Sequence, residues 1–137
     1  MQIRYRDLPN WKYQLLQDWH TNTAVKGFNI DNPMFTLLED GRLTVRRGYA
    51  WDGPSGPTID TKSFMRASVV HDVFYQCLRE GKLPPSRRKL ADQELIRYAK
   101  LDGMNPVRRF YAYWSLRAFA GRAAKLKTKP MKIHVAP

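Results

Sequence analysis

Residues 63–81 read SFMRASVVHDVFYQCLREG, and within them Phe64, Ala67, His71, Phe74, Tyr75 and Leu78 recur at helical spacing. That period predicts an α-helix over about residues 62–79 with one apolar stripe. Asp60 or Thr61 is available to cap its start and Gly81 to stop it. His71 lies in the stripe and so turns toward the interior. Asp72 projects about 100° around the helix from it, toward a different neighbour, while Tyr75 follows one turn later on the same face.

Working toward the C-terminus, a second helix is expected after Pro84-Pro85, over about residues 86–102, with Ser86 as its cap and Gly103 near its end. Leu95, Ile96 and Ala99 define its apolar face, and one turn back along that face stands Asp92. A buried carboxylate needs hydrogen bonds, an opposite charge or a metal. The short connection makes the two helices antiparallel neighbours, so Asp92 and His71 can satisfy one another and Tyr75 can donate its hydroxyl to Asp92. A carboxylate on one ring nitrogen fixes the imidazole tautomer and leaves the other nitrogen to accept a proton from water or a nucleophile. The competing reading is a satisfied core histidine, Asp92 paired with Arg66, Arg88 or another base, and Tyr75 as a packing aromatic. A third helix, about residues 106–122, has Asn105 to cap it and Pro106 at its first position, where the missing N–H costs nothing.

Working toward the N-terminus, FTLLEDGRLTVRRGYAW (35–51) carries two apolar runs around Asp40-Gly41, which predicts a hairpin at about residues 35–50. Another strand is expected near 20–28, within a β part covering about 13–50. GYAWDGPSGPT (48–58) holds three glycines and two prolines and reads as a shaped loop between the halves. A hard cation such as calcium takes several oxygen ligands, and Gly53 and Gly56 free this turn to aim carbonyls inward. Asp72 would add a carboxylate and Asp52 another; an ordinary turn is the alternative. The expectation is one α+β domain over residues 1–124, strands first and three helices after, with KLKTKPMKIHVAP (125–137) as a basic extended arm.

Twenty-four Lys and Arg against twelve Asp and Glu give the 137-residue chain a net charge of +12. That favours an anionic partner: nucleic acid, an anionic lipid surface or an acidic protein. In the third helix, Arg108, Arg109, Arg117 and Arg122 are interleaved with Phe110, Tyr113 and Trp114, which suits an acidic or nucleic-acid surface. The opposing reading makes the aromatics core and the arginines a solvated face. The single cysteine, Cys77, can form no internal bridge and reads as a small core hydrophobe. The first residues lack the apolar run of a secretory signal, and no segment reaches the roughly 20 apolar residues of a spanning helix. A phosphate-cradling GxxxxGK and a zinc-type Cys/His cluster are both missing from the sequence.

The order of a WDGPSGP loop, HDVFY on a helix and an aspartate on the next helix resembles the phospholipase A2 superfamily. That resemblance implies a calcium-dependent ester or lipid hydrolase. It makes His71 the base, Asp92 the carboxylate behind it and Tyr75 the support of Asp92. It gives calcium Asp72 and the carbonyls of Trp51, Gly53 and Ser55. Those enzymes carry disulfides beside the histidine; this chain cannot. Over about residues 13–120 the chain also resembles a family of small uncharacterised phage and prophage proteins that share a G-Y-x-W-D-G loop, an HD-x-x-Y helix and an R-x-x-AD element, here within RRKLAD (87–92). This second resemblance implies a product of the host cytoplasm, possible virion association, and a phage structural protein among the candidate partners. It also admits a noncatalytic role in the virion, in assembly or in binding a host component through a basic surface.

Overall fold

In the computed structural model of the chain, which describes residues 2–9, 12–51 and 62–125, seven short strands precede three helices in an α+β arrangement. Most of the glycine-rich loop and the basic arm, including Asp52, Gly53 and Ser55, lie outside the described residues. The strands are β1 (Tyr5–Leu8), β2 (Lys12–Leu15), β3 (Trp19–Asn22), β4 (Ile30–Asn32), β5 (Phe35–Leu37), β6 (Arg42–Val45) and β7 (Ala50–Trp51). They form two antiparallel sheets, ordered β1-β2-β7 and β3-β6-β5-β4.

The second sheet follows its sequence pattern closely. Phe35 and Leu37 on β5, and Leu43 and Val45 on β6, point inward in strict alternation and are buried together with Trp19. The turn between β5 and β6 needs glycine: Gly41 has φ +92°, its N–H donates to the Leu38 carbonyl at 2.9 Å, and an added Cβ would lie 2.2 Å from the Thr23 carbonyl oxygen. Thr23 in turn donates its N–H and its hydroxyl to the Gly41 carbonyl, at 2.8 and 2.9 Å.

Three strand expectations are corrected. The hairpin ends at Val45, because Gly48, at φ +94°, turns the chain so that Ala50 and Trp51 join β2 in the first sheet. The strand expected near 20–28 is Trp19–Asn22, and Thr23 is spent on the Gly41 turn. The β part begins at Tyr5 rather than at about residue 13, as the hairpin partner of β2.

The first sheet meets the helices through Trp51, whose indole N–H donates to Ser68 Oγ at 2.9 Å. Helix α1 (Lys62–Arg79) has more than one buried stripe: Val69, Val70, Val73 and Cys77 are fully enclosed along with Ala67, Phe74 and the other predicted positions. It is the central element, covered on nearly all sides, as expected of a helix apolar around its circumference. Gly81, at φ +72°, ends it, and the Lys82 N–H closes back on the Cys77 carbonyl at 2.8 Å.

Helix α2 (Arg88–Leu101) runs antiparallel to α1 and begins after a 3-10 turn at Pro85–Arg87. Ser86 lies inside that turn, so it is not the cap; Arg87 holds the cap position and makes no side-chain capping bond. Helix α3 (Pro106–Phe119) opens as expected, the Asn105 side chain accepting the Arg108 N–H at 2.9 Å, and passes into a 3-10 turn at Ala120–Ala124. Among the described residues no helix is long and apolar enough to cross a membrane.

Candidate functional site

His71 and Asp92 face one another across the α1–α2 contact. Asp92 is 0 % exposed and His71 5 %. His71 Nε2 lies 2.8 Å from Asp92 Oδ1, and the Tyr75 hydroxyl donates to the same oxygen at 2.6 Å. The helical period produces this directly: one turn separates His71 from Tyr75, so their rings lie together, centroids 4.0 Å apart, above a single carboxylate.

Two arginines complete the shell. Arg117 of α3 donates from Nη1 to Asp92 Oδ2 at 3.0 Å. Arg88, one turn before Asp92, places Nε 3.9 Å from Oδ2 and donates the same N–H to the Tyr75 oxygen at 3.2 Å. Its Nη2 donates to the Leu116 and Arg117 carbonyls at 2.7 and 3.2 Å, satisfying acceptors in the last turn of α3. One carboxylate thus binds all three helices. Burial alone would raise the Asp92 pKa, but hydrogen bonds from His71, then Tyr75, with Arg117 adding to them, hold it below its ordinary value. The Tyr75 hydroxyl is shifted upward, first by burial and then by Asp92, so it stays a donor at neutral pH.

With Asp92 ionised and able only to accept, His71 Nε2 must carry a proton, and in the neutral imidazole Nδ1 is the basic atom. The arrangement can therefore orient a general base. It can equally stitch helices together. Of the two bases expected as alternative partners of Asp92, Arg88 lies beside it, whereas Arg66 makes a bidentate pair with Asp102 at 2.7 and 3.1 Å.

Asp72 is half-buried, and its charge is felt by Tyr49, whose hydroxyl is shifted upward by burial and, secondarily, by Asp72. Of the main-chain carbonyls expected to serve calcium, Trp51's belongs to β7; those of Gly53 and Ser55 are outside the described residues, as is Asp52. Among the described residues no three His, Cys, Asp or Glu side chains are grouped to hold a metal ion. The expected donor set is of another kind, the Asp72 and Asp52 carboxylates with main-chain oxygens, and most of it lies outside the described residues.

Helix α3 reverses the expected division of labour. Phe110, Tyr111 and Trp114 are exposed, Tyr113 is half-buried, and Ala112 and Leu116 form the buried face. Arg108, Arg109 and Arg117 are half-buried. Arg109 Nε is enclosed without a hydrogen-bond partner, and Arg117 reaches Asp92. The reading of the aromatics as core is thereby overturned for Phe110 and Trp114, and that of the arginines as a solvated face for Arg109 and Arg117; the Arg122 side chain is outside the described residues.

A second buried acid escaped the sequence reading. Glu94, 2 % exposed, accepts two hydrogen bonds from Arg97 at 2.8 and 2.9 Å and the Ala24 N–H at 3.2 Å. Arg97 Nη2 and the Tyr98 hydroxyl both donate to the Asn22 carbonyl, so α2 is fastened to the end of β3. The Glu94–Arg97 spacing was the available signal, and on sequence alone it reads as a surface pair. Comparison with protein-family models, curated proteins and solved structures yields no match for this chain.

Proposed function

We propose that the chain is a small phage-type hydrolase in which His71 is the general base, acting on an ester, with a phospholipid as the implied substrate class. The observation that carries this reading is the buried line from Tyr75 through Asp92 to His71, at 2.6 and 2.8 Å. In it, Asp92 holds Nε2–H, and Nδ1 takes a proton from water as the water oxygen bonds to the ester carbonyl carbon. The tetrahedral adduct then expels the alkoxide, which takes that proton back from Nδ1 and leaves as an alcohol. Calcium held by Asp72 and the carbonyls of Trp51, Gly53 and Ser55, with Asp52 as a further carboxylate, would supply positive charge for the developing oxyanion.

The test is hydrolysis of a short-chain phospholipid and of a nitrophenyl ester, each with calcium and with chelator. Turnover should require calcium and be lost in His71→Ala, with the fold retained by circular dichroism. A wild-type protein that neither binds calcium nor hydrolyses either substrate overturns the proposal.

A second reading has its own support: His71 is only 5 % exposed, and Asp92 is served by groups from all three helices. The cluster is then a structural tie. The chain would be a noncatalytic virion or assembly component, or a module that binds a host component through basic surface. Copurification with particles, together with catalytic silence, would favour it.

A further inference from the structure

We propose that the outward face of α3 docks on an anionic phospholipid bilayer. Val107, Phe110, Tyr111 and Trp114 follow the i, i+3, i+4, i+7 rule and form one stripe two turns long, and Leu101, at the end of α2, is exposed as well. These five residues are 54–79 % exposed, and among the described residues the only other exposed large apolar side chains are Leu16 and Leu38. The rings are already assembled: Phe110 and Trp114 meet edge to face at 6.4 Å, and Tyr113 joins Trp114 at 5.4 Å. A contiguous apolar patch on a strongly basic protein calls for a partner.

Three occupants can be compared by chemistry. A second copy would bring a further +12 against the first. A nucleic acid needs cations tracking its phosphates beside the stacking rings. Here Arg117 is turned onto Asp92 and Arg109 Nε is enclosed, and Leu101 and Val107 offer no ring to stack on. An anionic leaflet matches both properties. Its surface potential attracts the excess charge, and its headgroup boundary accepts tryptophan and tyrosine by their polar tips while phenylalanine and valine reach the acyl region. Such docking requires no spanning segment.

The proposal does not depend on hydrolysis. The test uses the whole chain with vesicles of equimolar phosphatidylglycerol and phosphatidylcholine, and with vesicles of phosphatidylcholine alone. Wild-type protein should cosediment with the former, more weakly as salt rises, and far less with the latter. Trp19 and Trp51 are buried, so in a Trp11→Phe background a blue shift of tryptophan emission on binding should report Trp114 and vanish when Trp114→Phe is added, although that protein still binds. Phe110→Ser combined with Trp114→Ser removes two exposed rings without touching the core and should cut partitioning by about a hundredfold, roughly tenfold per ring. His71→Ala should bind as wild type does, so failure of the hydrolase reading leaves this one standing. Absence of binding to phosphatidylglycerol vesicles overturns it, as does a double variant that binds undiminished. So does a wild-type protein that ignores vesicles while the double variant loses binding to single-stranded DNA or loses self-association.

Discussion

Replacing Asp92 by asparagine should cost about 3 kcal/mol of folding stability, at the lower end of what breaking a buried ion pair costs. The reasoning is geometric. Every polar group facing this side chain is a donor: His71 Nε2, the Tyr75 hydroxyl, Arg117 Nη1 and Arg88 Nε. A carboxylate offers only acceptors, whereas an amide keeps one and turns two N–H bonds toward this shell. The cost is held near the lower bound because the Arg88 and Arg117 side chains are 21 % and 30 % exposed and recover some hydration. With a urea slope of about 1.5 kcal/mol per molar for a domain of this size, the midpoint should fall by about 2 M.

The effect of pH has a definite sign. The Asp92 pKa is lower folded than unfolded, so its contribution is fully present above the ordinary value of 3.8 and is lost as pH falls below that toward the folded value. The gap between wild type and Asp92→Asn should therefore narrow on acidification through this window. Urea titrations at neutral pH and across the acid range measure both effects. A midpoint shift under about 0.5 M, corresponding to under about 1 kcal/mol, would refute the view that this carboxylate joins the helices.

Glu94→Gln should cost less, about 1–2 kcal/mol in the same titration, because Arg97 is 43 % exposed and can turn back to water. Gly41→Ala should destabilise by at least about 2 kcal/mol, since its φ is positive and the new methyl would meet the Thr23 carbonyl oxygen; a thermal melt matching wild type would contradict this. Burial pushes the Cys77 thiol up to about 12, so a thiol-specific disulfide reagent at mildly alkaline pH should label the native chain only as fast as it unfolds. Prompt labelling without denaturant would be the contrary result.

The meeting of His71, Tyr75 and Asp92 was legible in the sequence for two reasons. The helical period fixed which way each side chain pointed, and the short link after Gly81 made the two helices neighbours. Arg117 was not legible. Its approach depends on how α3 crosses α2, and a long cationic side chain gives no directional signal in sequence. The same helix misled through its aromatics: Ala112 and Leu116 are enough to pack α3, so bulk at Phe110 and Trp114 was no guide to burial. In α1, several apolar residues off the chosen stripe were also buried, because the helix is enclosed rather than laid on a surface. A two-residue strand such as Ala50-Trp51 carries no period at all; its membership of the first sheet is decided by the glycine turn before it.

That sheet membership shapes the order of assembly. Tyr13 pairs with Trp51, and β3 to β6, the whole second sheet, are threaded between them. The first sheet is a clasp whose two jaws come from opposite ends of the β half. It can close only after the intervening excursion has contracted, since closing an unstructured loop of that length forfeits chain entropy. Nascent chains should consequently acquire the β5–β6 hairpin early and the β2–β7 pairing late. Latching Trp51 onto Ser68 then fixes where the strand half hands the polypeptide to the helix that bears His71.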